Sequence, residues 1–221
     1  MKILIICICL TLASFTSYAQ GFVNLNFESA NLNGYSPGAI NVPTNNAIPG
    51  WTASFPSPVY GVQQSATVAY DTVSLGGAAI IIYDTNSLSY TPIQGRYSIF
   101  FQGDYRPGLS SGNAAEISQT GLVPTTAQSL IFWGSFGGDT LLFNGQIIPY
   151  ASIGNGNNYT IYQADVSEFV GQIGTLGFLV PVNGAGLLDN IQFSTAAVPE
   201  PGVFALTALG GLLLGFRRWK K

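Results

Sequence analysis

Between residues 20 and 197 few side chains carry charge: Glu28, Asp71, Asp84, Asp104, Glu116, Asp139, Asp165, Glu168 and Asp189 against Arg96 and Arg106. Carboxylates by themselves support two kinds of chemistry. A pair flanking a glycosidic bond supplies acid and base, provided that one carboxyl holds its proton near neutral pH. Carboxylates joined by carbonyl oxygens hold a hard cation such as calcium. Other catalytic vocabulary is missing. The chain contains no histidine, which removes the usual general base, the usual zinc ligand and the Ser-His-Asp arrangement. The sequence also shows no Gly-rich phosphate loop, metal-ligand spacing or nucleophile elbow. Most of the carboxylates have plain placements. Asp71, Asp84, Asp104 and Asp139 fall by turns, where aspartate bonds to local backbone. Glu116 falls on the polar face of "AAEISQTG", and Asp165 reads as a helix cap. A non-enzymatic domain is expected.

The elements that must position these groups are strands. Short stretches rich in β-branched and aromatic residues alternate with Gly, Asn, Pro and Ser clusters, the pattern of a sandwich or barrel. "FVNLNFE" (22–28) alternates, with Val23, Leu25 and Phe27 on one face. "AAIIIYD" (78–84), "YSIFFQG" (97–103) and "SLIFWGSF" (129–136) are nearly continuous apolar runs, expected of strands buried in the centre. In "LLFNGQIIPY" (141–150), Asn144-Gly145 separates two apolar runs and predicts a type I′ hairpin. "NNYTIYQADV" (157–166), "GTLGFLV" (174–180) and "GLLDNIQF" (186–193) complete the strand set, and "DVSEFVGQ" (165–172) predicts one short helix. Residues 33–50 and 104–113 read as ordered surface loops.

The two ends of the chain are different in kind. "MKILIICICLTLASFTSYAQ" has Lys2, then an apolar region from Ile3 to Leu12, then small residues that place Ala19 and Gln20 at a cleavage point. This is the pattern of a secretory signal, and it carries both cysteines of the chain, Cys7 and Cys9. At the other end an uncharged apolar run from Val203 to Phe216 would reach about 21 Å as a helix, short of a hydrocarbon core of about 30 Å. Arg217, Arg218, Lys220 and Lys221 follow it and would stay on the cytoplasmic side. The expected organisation is a signal peptide over 1–19, one β-sandwich domain over 20–197, and a tail over 198–221.

That domain would have 178 residues, enough for a single core. With nine acids and two arginines its net charge is −7. It lacks the basic footprint that phosphate backbones require, so nucleic acid is excluded as a partner. Without a cysteine it must rely on packing in an oxidising compartment.

The tail resembles a PEP-CTERM sorting signal: Val198, Pro199, Glu200 and Pro201, then the apolar stretch, then the basic end. The resemblance covers about the last 24 residues. It implies an exosortase-type protease as partner, transient residence in the inner membrane, and delivery to the cell envelope, surface or exopolysaccharide matrix. A second resemblance is scattered over residues 22–194. "NLNFES", "IPGW", "DVSEFVGQ" and "GLLDNIQF" are similar to galactose-binding-like and carbohydrate-binding-module jelly-rolls. It implies an all-β antiparallel sandwich and a structural calcium near the terminal strands, with Glu28 and Asp189 at the matching positions. The residues add support of their own. On a strand over 187–193 Asp189 shares parity with Ile191 and Phe193, so it is expected to face the core. A carboxylate there must be paired, hydrogen-bonded or bound to a cation, and nearby backbone N–H groups are the alternative to calcium.

Tyr35, Trp51, Phe55, Tyr60, Tyr90 and Tyr105 fall in or near loops, where aromatic faces can stack on sugar rings. Trp51, after Pro49-Gly50, is expected to enter a strand and anchor the core. Tyr35 and Tyr105 are the candidate contacts, with Arg106 suited to a carboxylated sugar. Two functions follow: a structural protein of the envelope or matrix, or a carbohydrate-binding module with a specific glycan.

Overall fold

The structure is a computed structural model that describes residues 20–57, 63–72, 76–87, 90–105, 112–136 and 139–198. The signal segment through Ala19, Tyr60, Arg106, the motif residues Pro199, Glu200 and Pro201, the apolar run and the four basic residues of the tail lie outside them. Among the described residues no helix is long and apolar enough to cross a membrane.

In chain order the elements are α1 (Thr44–Ala47), β1 (Thr52–Pro56), β2 (Gln63–Ser65), β3 (Ala69–Tyr70), β4 (Ala79–Asp84), β5 (Tyr97–Gln102), β6 (Ala115–Leu122) and β7 (Ser129–Phe136). They continue with β8 (Thr140–Phe143), β9 (Gln146–Ile148), β10 (Tyr150–Asn155), β11 (Thr160–Asp165), β12 (Ile173–Val180) and β13 (Ala185–Ser194). Two sheets form, in the orders β2-β1-β6-β12-β8-β9 and β10-β11-β7-β13-β5-β4-β3. All named strand pairs are antiparallel except β3 with β4. The molecule is a β-sandwich.

Alternation explains how the sheets face each other. Along β6, Ala115, Ile117 and Gln119 are buried while Glu116 and Ser118 are less so and Thr120 is exposed. On the facing sheet Ile80, Ile82, Ile99, Phe101, Leu130 and Phe132 join the same core as Ile117, Leu141, Phe143, Leu176 and Phe178. The continuous apolar runs have a separate cause. Ala69, Ile81, Tyr83, Phe100 and Leu187 form a second, smaller core with Ile93 packed against it. Tyr90 stacks on Phe100 at 5.1 Å there. Segment 90–95 therefore covers part of the outer face, and β4 and β5 are buried on both sides. The Asn144-Gly145 hairpin forms as expected, with φ of 51° and 78°, joining β8 to β9.

Three expectations fail. Residues 22–28 are not a strand. Asn24 and Phe27 adopt φ of 50° and 58°, which breaks alternation. A side chain replaces the ladder there: the Val23 N–H donates to Gln119 Oε1 (2.6 Å), and Gln119 Nε2 donates to the Val23 carbonyl (3.0 Å). The short helix predicted at 165–172 contracts to a 3-10 turn, Ser167–Phe169. Asp165 is not its cap: Val166 holds that position with no side-chain cap bond, and Asp165, one residue earlier, accepts the Ser167 N–H on its Oδ1 at 2.9 Å. The α-helix lies instead at Thr44–Ala47, within a stretch read as loop.

Candidate functional site

A further expectation fails at Asp189, and the cause is a bulge. Leu188 and Ile191 both enter the inter-sheet core, a spacing of three that strict alternation forbids. The pairing of β13 with β7 slips between Asp189 and Gln192, and Asn190 takes φ of 47°. Asp189 is thereby turned to the outer face with Leu187 and Ser98, where it is fully buried. Its partners are neutral. Its Oδ2 accepts the Gln94 N–H (2.9 Å) and the Ser98 hydroxyl (2.7 Å), and its Oδ1 accepts the Asn190 N–H (2.7 Å).

Glu28 reaches the same short segment from the other end of the chain. Its Oε1 accepts the N–H groups of Arg96 (2.8 Å) and Tyr97 (3.0 Å). Gly95, at φ of 63°, lies so close that a Cβ there would collide with the Glu28 carboxylate. Residues 94–98 thus tie the stretch around Glu28 and the last strand together through two carboxylates. Burial raises Asp189 to about 7, against the pull of its three hydrogen bonds, and the charge of Glu28 adds to the rise. Glu28 and Asp189 thus each accept hydrogen bonds from residues 94–98, and Asp189 faces away from the main core.

Among the described residues no group of three acidic, cysteine or histidine side chains gathers around a common point. Backbone or side-chain amide and hydroxyl oxygens would have to complete a calcium shell of six to eight ligands. Both are hard oxygen ligands of like charge, but Asp189 already accepts three hydrogen bonds and Glu28 Oε1 two, which leaves a cation only their remaining lone pairs.

The other side of the same segment lines a cavity of about 500 Å³, between residues 30–35 and 96–97. Asn31, Asn33, Tyr35, Tyr70, Arg96 and Tyr97 contribute its polar and aromatic groups. Tyr70 and Tyr97 are buried at its floor, and Tyr35 is half-buried, packed on the main core. The Tyr70 hydroxyl donates to Asp84 Oδ2 at 2.8 Å, and burial followed by that bond raises it to about 12. Burial likewise raises Tyr97, with Arg96 opposing it. Both phenols are therefore neutral at physiological pH. The guanidinium of Arg96 lies 4.9 Å from the centre of the Tyr97 ring. No carboxylate is among the lining residues. The cavity offers aromatic surface, amides and one cation, which is the equipment of a binding site.

Tyr35 belongs to this cavity; Tyr105 does not. Tyr105 is 63% exposed beyond the far end of β5, about 20 Å of strand away from Tyr97. Its partner in the expectation, Arg106, lies outside the described residues. Trp51 is in the core, at 5% exposure, and Phe55 packs partly against that core. Sequence reasoning missed Arg96, Asn31 and Asn33. The scarcity of basic residues narrows the choice to Arg96 and Arg106, but does not separate them.

No protein-family model and no curated protein matches the chain. Among solved structures it is similar to the carbohydrate-binding module TmCBM61 in complex with beta-1,4-galactotriose, at 13% identity and a TM-score of 0.38, over 79% of this chain and 98% of that one.

Proposed function

We propose that residues 20–197 form an exported, non-enzymatic jelly-roll that binds glycan at the Tyr35 cavity, and that its tail directs it to the cell envelope or exopolysaccharide matrix. The observation that carries the binding reading is the cavity itself: Tyr35 beside the amides of Asn31 and Asn33, over a floor of neutral phenols. An aromatic face with amides at its edge suits a sugar ring, whose hydroxyls need hydrogen bonds and whose C–H faces need apolar contact. The tail reading rests on Val198 to Pro201, the apolar run and the basic end. An exosortase-type protease would cut there after the apolar run had halted in the inner membrane.

A glycan array tests the binding. The purified protein is expected to bind a defined glycan saturably, and Tyr35→Ala to weaken that binding at least about tenfold in protein that stays folded, with a lower melting temperature because the ring also packs on the core. If no glycan binds, the purely structural role in the matrix is the better reading.

We also propose that calcium sits at Glu28 and Asp189, where it would neutralise the pair and fasten residues 94–98. Adding calcium to chelator-treated protein at a hundredfold excess over Kd is expected to raise Tm by about 5 °C. Glu28→Gln or Asp189→Asn should abolish that rise. An unchanged Tm would leave the three neutral donors as the whole account of Asp189.

A further inference from the structure

Arg96 is the single basic residue among the described residues, whose other charged side chains are all carboxylates. A surface arginine in such surroundings would ordinarily find a carboxylate. Arg96 forms no ion pair among the described residues. Glu28, the nearest acid by sequence contact, directs its Oε1 at the backbone N–H groups of Arg96 and Tyr97. Asp84 is engaged below by the Tyr70 hydroxyl and by the Asn86 N–H at 2.8 Å.

Arg96 is also held in place. Its own N–H is anchored to Glu28, the next residue opens β5, and the guanidinium rests on the Tyr97 ring. The ring contact therefore spends part of the entropy needed to order this exposed, long side chain before any ligand arrives. Its planar fork of N–H donors stands in the wall of a cavity whose other polar groups, Asn31 and Asn33, suit hydroxyls.

We propose that the cavity selects a carboxylated sugar, a uronate residue of an acidic polysaccharide. Its carboxylate would take the Arg96 fork, its ring would lie against Tyr35, and its hydroxyls would meet Asn31 and Asn33. This rests on the glycan-binding reading and narrows it to one chemical class. The net charge of the domain repels a polyanion at long range, but physiological salt screens that over about 8 Å, while the fork acts at contact.

The test compares an oligouronate with the same oligosaccharide after its carboxyl groups are reduced to alcohols, titrated calorimetrically into the purified full chain at physiological salt. The oligouronate is expected to bind at least about tenfold more tightly, the worth of a charge-assisted bond to a partly buried carboxylate. In Arg96→Gln the ratio between the two ligands should fall to near one. Arg96→Lys, which keeps charge and loses the planar fork, should give an intermediate ratio. Equal binding of both ligands, with the ratio indifferent to Arg96→Gln, would overturn the uronate proposal and leave a neutral-sugar site. Binding of neither would overturn the glycan reading and this inference with it.

Discussion

Asp139→Asn is expected to stabilise the protein at neutral pH, by about 2–4 kcal/mol, and to do so more strongly as pH rises from 4 to 8. Both carboxylate oxygens of Asp139 are buried, with no hydrogen-bond partner among the described residues. Burial raises its pKa from 3.8 to about 8. The folded state thus keeps a proton up to about pH 8 that the unfolded chain releases near pH 4. Folding takes up that proton in between, so stability is fully present below the unfolded value and declines as pH rises toward the folded one. Asp189, raised to about 7, pushes in the same direction. The wild-type protein should therefore resist urea better at pH 5 than at pH 8, an unusual sign for an acidic domain. Asparagine has nearly the same shape and never ionises, so it removes the part of the penalty due to charge. Its amide still lacks partners, which keeps the gain below the full shift. Tyr150, whose hydroxyl donates to the Asp139 carbonyl at 2.9 Å, keeps the backbone in place in both proteins. A stability difference that stays flat between pH 5 and pH 8 would mean that Asp139 finds a partner or water in solution.

The turn reading of Asp139 in the sequence was sound for position and wrong for bonding. That is the general pattern here. Local chemistry showed what adjacent residues decide: the Asn144-Gly145 hairpin needs only two residues that tolerate positive φ, and the 129–136 run matches β7 residue for residue. It failed where a distant group takes over the role of a neighbour. Residues 22–28 alternate well enough for a strand, yet Gln119, nearly a hundred positions away, satisfies the Val23 backbone. Parity placed Asp189 toward the core because nothing local announces a bulge at Asn190; an asparagine willing to adopt φ of 47° is the only trace. The cavity follows the same rule. Tyr35 was readable as a loop aromatic, but its neighbours Arg96 and Tyr97 arrive from the start of β5, sixty residues on, through the sheet order. A helix of four residues, TNNA after Pro43, is too short to show any hydrophobic period.

Trp51→Ala is expected to be the most damaging single change, costing about 3–5 kcal/mol in urea unfolding. The indole lies between Phe27, at 5.7 Å, and Phe178, at 6.4 Å, and so joins the N-terminal coil to the centre of β12. Its Nε1–H donates to the Asn24 carbonyl at 3.0 Å. That bond matters more than usual because residues 22–28 have no strand ladder to fall back on. Truncation to alanine would open a large void and orphan the carbonyl together. Trp51→Phe separates the two terms: it retains most of the packing and loses the N–H, so about 1–2 kcal/mol is expected. The coil also carries Glu28, which orders Arg96 and Tyr97. Loosening Trp51 should therefore weaken ligand binding at the cavity as well, although the indole is not among its lining residues. A ligand-platform role for Trp51 makes the opposite forecast, a loss of binding with stability almost intact. Trp51→Ala protein that unfolds within about 1 kcal/mol of wild type would thus remove the tryptophan from the core and return it to the candidate sugar contacts.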